Sequence, residues 1–428
     1  MLWNLASVCR QWRLVILDYP SFWAQDPFIF KDNPSRGQVE TRRIRLQRSG
    51  AAHLCVSLLA RESSMDSALS ALLFQNMPRI QKMDIFFKRW PPSALRQPDL
   101  NLLRLRSITF SCSYGANLPN PRQSLRRVMR ETVTNVLAHS VAIHQLTFHH
   151  IGTTYLGIDS PPSACHSLAE YRSTGTSVDT HFYVMDSAPN LKYCSIECIP
   201  TPSFTSVDFG ISHDTLHTLS ITPCLNYLTT QSRATNNAMV EFLQAITLPR
   251  LKDLIVRTIS DICPSASSPC ILVAVQAMLA RSTKTLRMFS LVSDARCPAL
   301  AHIIASQPLL EEVNLHINYV DDALVESLEN SQALHSLGIF CTRGFRCDSD
   351  LARRVGAIVH HHSTRRVSIT LDKSTSLAWQ SSPLFSSEIP VTVHLFNTTY
   401  WAICDDYFSR SMVLEEQSIS SSSITSWD

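Results

Sequence analysis

Residues 310–320 read Leu-Glu-Glu-Val-Asn-Leu-His-Ile-Asn-Tyr-Val. Leu310, Val313 and Leu315 fall at the first, fourth and sixth positions, so the last two share one face of an extended segment. Asn318 and Val320 close the stretch. Pro308 stands just upstream, where a proline ends a preceding helix and turns the chain into a strand. Downstream, Asp321 or Asp322 can cap a helix that carries Leu324, Val325 and Leu328. The stretch therefore predicts one strand followed by one helix, each with a single apolar side.

The same six-residue pattern recurs along the chain. It is found at Ile80-Met83-Ile85, Leu105-Ile108-Phe110, Ile143-Leu146-Phe148, Leu191-Cys194-Ile196, Leu216-Leu219-Ile221 and Leu251-Leu254-Val256. Leu286-Phe289-Leu291 and Leu334-Leu337-Ile339 flank the opening stretch, and Thr364-Val367-Ile369 is a degenerate last copy. Starts are 24 to 48 residues apart, and four of the nine gaps are 24 or 25, which identifies a repeat rather than chance alternation. Leu310–Val320 fits the full leucine-rich-repeat template, Leu-x-x-Leu-x-Leu-x-x-Asn-x-Leu; the other copies keep its strand part. Pro78, Pro189 and Pro249 precede three of them as Pro308 precedes this one.

Between the strands, Met65–Met77, Leu125–His139, Asn236–Ile246, Ile271–Arg281, Pro298–Ser306, Asp322–Leu328 and Ser349–His361 have the periodicity of helices. A one-sided strand–helix unit cannot close its own core, and stacking the units can. The fold class expected is α/β: an irregular leucine-rich-repeat-like solenoid over 61–412. A parallel β-sheet lines its concave face and helices lie outside. The stretches 160–180 and 258–269, rich in Ser, Thr and Pro, read as exposed loops. Val391–Phe396 alternates like a last strand, with Trp401, Tyr407 and Phe408 available to cap the stack. Residues 413–428 read as a disordered tail.

Composition excludes several classes. Hydrophobic content of 45% and charged content of 17% describe a globular chain, and no apolar run is long enough for a membrane span. A net charge of +3 gives no reason to expect nucleic acid or an anionic membrane as partner. Thirteen cysteines without a repeating framework, most of them at apolar positions, read as reduced thiols of the cytosol or nucleus. Only ten glycines argue against phosphate-cradling loops.

The N-terminus carries a different signal. In 2–23, Leu5, Val8, Cys9, Trp12, Val15 and Ile16 recur at helical spacing, with Asn4, Arg10, Gln11 and Arg13 mostly on the other side. Tyr19-Pro20 stops that helix, and Phe22 and Trp23 sit just past the stop. The apolar face must dock on its own domain or on a partner.

The string Val8-Cys9-x-x-Trp12-Arg13, Leu17, Tyr19-Pro20, Phe22-Trp23 resembles the second half of an F-box. It is similar in particular to the F-box-like proteins of mushroom-forming fungi. Leu46-Gln47-Arg48-Ser49-Gly50, followed by the apolar run Leu54–Leu58, resembles a segment common in the same proteins. The resemblance implies that residues 1–25 form a partial F-box, joined by a connecting segment, 26–60, to the solenoid. It also implies that Leu5, Val8, Cys9, Trp12, Val15 and Ile16 face the adaptor subunit of an SCF ubiquitin ligase. An F-box opens with a Leu-Pro-x-Glu segment and a first helix. Met1 begins the sequence downstream of that half, so adaptor contact is expected to be incomplete.

Chemistry-bearing patterns are sparse. Zinc sites need paired ligands at short fixed spacings. His360-His361-His362, His149-His150, Cys341 with Cys347, and Cys194-x-x-x-Cys198 do not supply them. There is no nucleophile elbow and no Walker or Rossmann glycine pattern. Asp405-Asp406 and Glu311-Glu312 read as solvated acids. Arg42-Arg43-x-Arg45 and Arg126-Arg127-x-x-Arg130 are small clusters that read as solvated faces.

No catalysis, cofactor or metal is expected. Residues alternating with the inward strand positions face outward, and Asp84, Phe86, Tyr193, Glu197, Arg257, Glu312, His316 and Phe340 are the candidates to hold an unknown protein target. The function expected is substrate recognition for an SCF-type ligase. The alternative is a leucine-rich-repeat interaction scaffold without ligase attachment.

Overall fold

The computed structural model describes residues 9–31, 35–60, 67–87, 93–112, 123–150, 163–199, 210–223, 232–258, 271–282, 284–293, 298–317, 320–341, 366–372 and 391–396. The chain divides into two compact units, Met1–Arg257 with Pro269–Thr285, and Thr258–Ser268 with Leu286–Asp428.

The first unit is built on a parallel sheet. Its strands are β1 (Phe28–Lys31), β2 (Leu54–Ala60), β3 (Ile80–Phe87), β4 (Ser107–Cys112), β5 (Gln145–His149), β6 (Glu170–Ser177), β7 (Tyr193–Ile199), β9 (Thr218–Pro223) and β11 (Asp253–Arg257), each beside the next. Two short strands, β8 (Ile211–Ser212) and β10 (Ile246–Thr247), form a separate parallel pair. In the second unit β12 (Met288–Ser293), β13 (Glu312–Ile317), β14 (Ser336–Cys341), β15 (Arg366–Asp372) and β16 (Val391–Phe396) repeat the arrangement.

The last two apolar positions of every expected six-residue pattern lie on a strand of these sheets, Val367 and Ile369 of the degenerate copy on β15 included. From Ile80 to Ile339 none of the pattern's side chains exceeds 2% exposure. Burying an aliphatic side chain of this size contributes roughly 1.5–3 kcal/mol, so the stacked pattern is the main apolar drive of the fold. Equivalent residues sit opposite one another: Met83, Ile108 and Leu146 are paired in register, as are Val313 and Leu337.

The starts of several strands are fixed by main chain. The Arg106 carbonyl accepts from both His144 N (2.8 Å) and Gln145 N (3.0 Å). The carbonyls of Ala169, Lys192, His217, Arg287 and Glu311 are forked in the same way by the following strand. Ahead of these forks, Leu191, Leu251 and Leu310 each donate back three residues, closing the turn that the upstream proline opens.

Helices lie at Ser67–Asn76, Gln123–Ala138, Ser232–Ala245, Ile271–Arg281, Ala299–Ala305 and Asp322–Glu329, matching the expected spans to within a few residues. The Asp321 carboxylate accepts from Leu324 N at 2.9 Å, the cap that the sequence proposes. The helical stretch Ser349–His361, the residues Trp401, Tyr407 and Phe408, and the tail fall outside the described residues.

Between sheet and helices the first unit carries a run of ring contacts. Phe87, Phe110, Phe148, Tyr171, His181 and Phe242 follow one another at centroid spacings of 5.7 to 6.2 Å. Such pairs contribute about 0.5–1.5 kcal/mol each beyond area burial.

Two expectations about the fold are overturned. Residues 26–60 do not merely connect to a solenoid that starts at 61, because β1 and β2 fall within them and pair in parallel with each other and with β3. The stretch 160–180 is not a loop along its length: Glu170–Ser177 is β6, between β5 and β7, and the helix Val178–Ser187 follows it. Leu168 and Tyr171 keep the first two apolar positions, but buried Ser173 occupies the third, so the pattern loses its last member. The register then shifts between Ser173 and Thr176, around Gly175 at a φ of +62°.

Candidate functional site

The first candidate surface is the N-terminal helix, Arg10–Asp18, followed by a short helix at Pro20–Ala24. Cys9 caps it, its thiol accepting from Trp12 N at 3.5 Å. The break at Tyr19-Pro20 falls where the sequence places it. Trp12 is 53% exposed, Leu14 51%, Val15 40%, Leu17 38% and Tyr19 56%, and Cys9 is also exposed. So much apolar side chain in water on nine helical residues and their cap is the mark of a surface meant to be covered.

Ile16 departs from the expected set. It is 2% exposed and faces the protein's own core. Trp23, fully buried, donates its indole N–H to the Ile16 carbonyl at 2.7 Å. Leu5 and Val8 lie outside the described residues.

The Leu46–Gly50 segment holds this arrangement in place. Leu46 is buried, Arg48 lies over the Trp23 ring at 4.7 Å, and Arg45 donates to the Trp23 carbonyl at 2.9 Å while stacking on Phe28 at 4.1 Å. Arg79 donates to Ser49 Oγ at 2.8 Å, and Gly50 takes a φ of +51° against Pro20. The basic cluster at 42–45 is thus not a solvated face. Arg45 is committed to carbonyls, Arg43 pairs with Glu40 at 2.6 Å, and Arg42 is half-buried.

The second candidate surface is the sheet face away from the buried pattern. Asp84, Phe86, Tyr193, Glu197 and Arg257 lie half-buried on it in the first unit, and Glu312 and His316 in the second. The Phe340 side chain is outside the described residues, although its backbone pairs with His316.

Around Asp84 the cross-strand partners are Ser57 and Thr109. Burial raises the Asp84 carboxyl above the usual carboxylate range, against the pull of Lys82 at 3.8 Å and of the Thr109 and Ser57 hydroxyls. Arg172 lies over the Tyr193 ring at 5.2 Å and pairs with Glu170 at 2.6 Å. Glu312 accepts from Asn314 at 2.7 Å. Asp84 and Phe86 are two positions apart on β3, whereas Tyr193 and Glu197 on β7, and Glu312 and His316 on β13, are four positions apart, so the fold lines the candidates along one face of their strands without converging them on one point. Glu170 and Arg172 belong to the same face and were hidden from sequence reading with β6.

Buried polar groups are structural here. His181, fully buried, has an imidazole pushed down to about 3 by burial and meets the Tyr171 hydroxyl at 3.2 Å. Burial, then His150, takes His149 to about 4; its Nδ1 is 2.8 Å from the Thr174 hydroxyl. The Cys194 thiol, at an inward strand position, is pushed up to about 12, far from a reactive thiolate. Among the described residues no group of three or more His, Cys, Asp or Glu could hold a metal ion, and no helix is long and apolar enough to cross a membrane.

No protein-family model matches the chain, and no curated protein matches it. Among solved structures it is similar to human 5T4 (Wnt-activated inhibitory factor 1, trophoblast glycoprotein) at 14% identity. That match covers 75% of this chain and 82% of the other, with a TM-score of 0.23. The repeat architecture rests on the strand register and burial described above.

Proposed function

We propose that this chain is a non-catalytic recognition subunit that joins two proteins. The outward sheet face holds a target polypeptide, and the exposed side of the N-terminal helix attaches the chain to a second protein. The observation that carries the reading is the N-terminal helix itself: Ile16 and Trp23 clamp it to its own domain while Trp12, Leu14, Val15, Leu17 and Tyr19 stay in water. By the F-box-like string around it, the second protein is the adaptor of an SCF-type ubiquitin ligase. The chain then acts by raising the target's local concentration beside the ligase. It does no chemistry, takes no cofactor, and binds neither nucleic acid nor membrane.

The test is co-purification of the chain with the adaptor, alone and as Trp12→Ala/Val15→Ala. Adaptor capture by the parent chain, lost in the double variant without a change in thermal stability, supports the receptor reading. Failure of the parent chain to capture the adaptor leaves the alternative, a leucine-rich-repeat interaction scaffold without ligase attachment.

A further inference from the structure

Main-chain bonds link the residues that stand immediately before successive strands. In the first unit these residues are Arg106, His144, Ala169, Lys192, His217 and Lys252, ahead of β4, β5, β6, β7, β9 and β11. They are linked in that order by main-chain bonds: His144 N to Arg106 O, Ala169 N to His144 O, Lys192 N to Ala169 O, His217 N to Lys192 O and Lys252 N to His217 O, all at 2.8 to 2.9 Å. Neighbours are therefore one strand spacing apart, about 4.8 Å. Five of the six are cations or imidazoles, and Arg104 and Arg250 stand two positions ahead of the first and last of them. All the Lys and Arg side chains among them are exposed. Among the described residues none of Arg106, Lys192, Arg250 and Lys252 forms an ion pair.

We propose that this cationic stripe docks an extended, carboxylate-rich polypeptide segment. Charge complementarity carries the choice of occupant. Lys192, His217, Arg250 and Lys252 crowd three adjacent strands, and their mutual field is felt at His217. That imidazole is lowered by burial and then by Lys252, Lys192 and Arg250, with Asp253 alone acting the other way. Asp253 is engaged by the Thr218 hydroxyl at 2.9 Å, and Glu170 by Arg172. From Arg106 to Lys252 the stripe spans five strand spacings, about 24 Å, the length of seven or eight extended residues.

The stripe is broken at Ala169, and Glu170 follows that gap. An unbroken phosphate backbone would meet a carboxylate there, whereas a peptide can set a neutral residue over it. The stripe lies at the strand starts, apart from the N-terminal helix; Tyr193 adjoins Lys192, but Asp84, Phe86, Glu197 and Arg257 lie further along their strands, so substitutions at those positions keep its failure and theirs separable.

The experiment titrates the full chain with fluorescein-labelled octaglutamate by polarisation, beside octaglutamine and a single-stranded octathymidine. Octaglutamate is expected to bind, with affinity falling as salt rises. The Lys192→Glu/Lys252→Glu variant should bind about tenfold more weakly or worse, and Arg96→Glu/Arg127→Glu, reversals on the short 3-10 turn Ser93–Arg96 and on the helix Gln123–Ala138, should change affinity by less than about twofold. By NMR the His217 pKa should rise on saturation. Circular dichroism checks that the variants keep the parent fold, as exposed positions should. Equal binding of octaglutamine, undiminished affinity of the strand-start variant, an unmoved His217, or displacement of octaglutamate by a lower concentration of octathymidine would each overturn the proposal.

Discussion

The indole N–H of Trp23 reaches back seven residues to the carbonyl of Ile16, 2.7 Å away, and closes the corner between the two N-terminal helices. Both residues are buried, and Arg48 covers the outer face of the indole. The corner holds a helix whose remaining apolar residues find no place inside. Trp23→Ala should therefore cost about 3–5 kcal/mol, as a fully buried aromatic does. Trp12→Ala, at an exposed site, should stay within about 0.5 kcal/mol. Urea unfolding of the two variants beside the parent checks the contrast, and equal losses would mean that Trp12 also packs inward.

Ser173 interrupts the apolar pattern of β6, and among the described residues its buried hydroxyl finds no hydrogen-bond partner. An unsatisfied buried hydroxyl costs about 1–3 kcal/mol relative to a satisfied one. Ser173→Ala removes the cost with little change of volume. A gain of up to about 1 kcal/mol is expected, read as a higher urea midpoint at unchanged slope.

Stability should fall in mild acid. His181 and His149 are held neutral in the fold, titrating near 3 and 4, whereas free histidine titrates near about 6.5. Between those values the unfolded chain binds protons that the folded chain refuses. Unfolding free energy therefore rises with pH through this window, and the stability is lost as pH falls below about 6.5. Urea midpoints from pH 7.5 down to 4.5 should decline, with most of the loss under pH 6.5. His149→Gln should make the decline shallower.

Gly175 marks the register shift between β6 and β7, with a φ of +62° that side-chain-bearing residues adopt at a cost. A Cβ there would also run into the His150 imidazole, and His150 itself has a φ of +56°. Gly175→Ala is expected to destabilise by about 1–2 kcal/mol. The thermal midpoint should drop accordingly, while Gly37→Ala, where a Cβ meets nothing nearby, should be neutral or slightly stabilising.

What sequence reading reached depended on whether the information was local. Leu310, Val313 and Leu315 announce their strand because the buried positions are apolar and two residues apart. The same rule located each of the other copies from Ile80 onward. It failed at β6, where Ser173 fills an inward position and Gly175 breaks the register. With that strand went Glu170 and Arg172, and so the polar partners of Tyr193. The cationic stripe was illegible for another reason. Lys192, His217 and Lys252 are separated by 25 and 35 residues in the chain and become neighbours only through pairing of their strands. Arg42, Arg43 and Arg45 show the converse, since adjacency in sequence suggested a shared charged face, yet folding half-buries Arg42, pairs Arg43 with Glu40 and turns Arg45 to the Trp23 carbonyl.

The doubled acceptors at Arg106, Lys192 and His217 make strand alignment a property of peptide groups, whatever side chain those residues carry. The side groups there are consequently released from any part in building the scaffold. Replacing them rewrites what the edge attracts and leaves the architecture beneath untouched, so one framework of this kind can be re-addressed to new partners by a handful of surface changes.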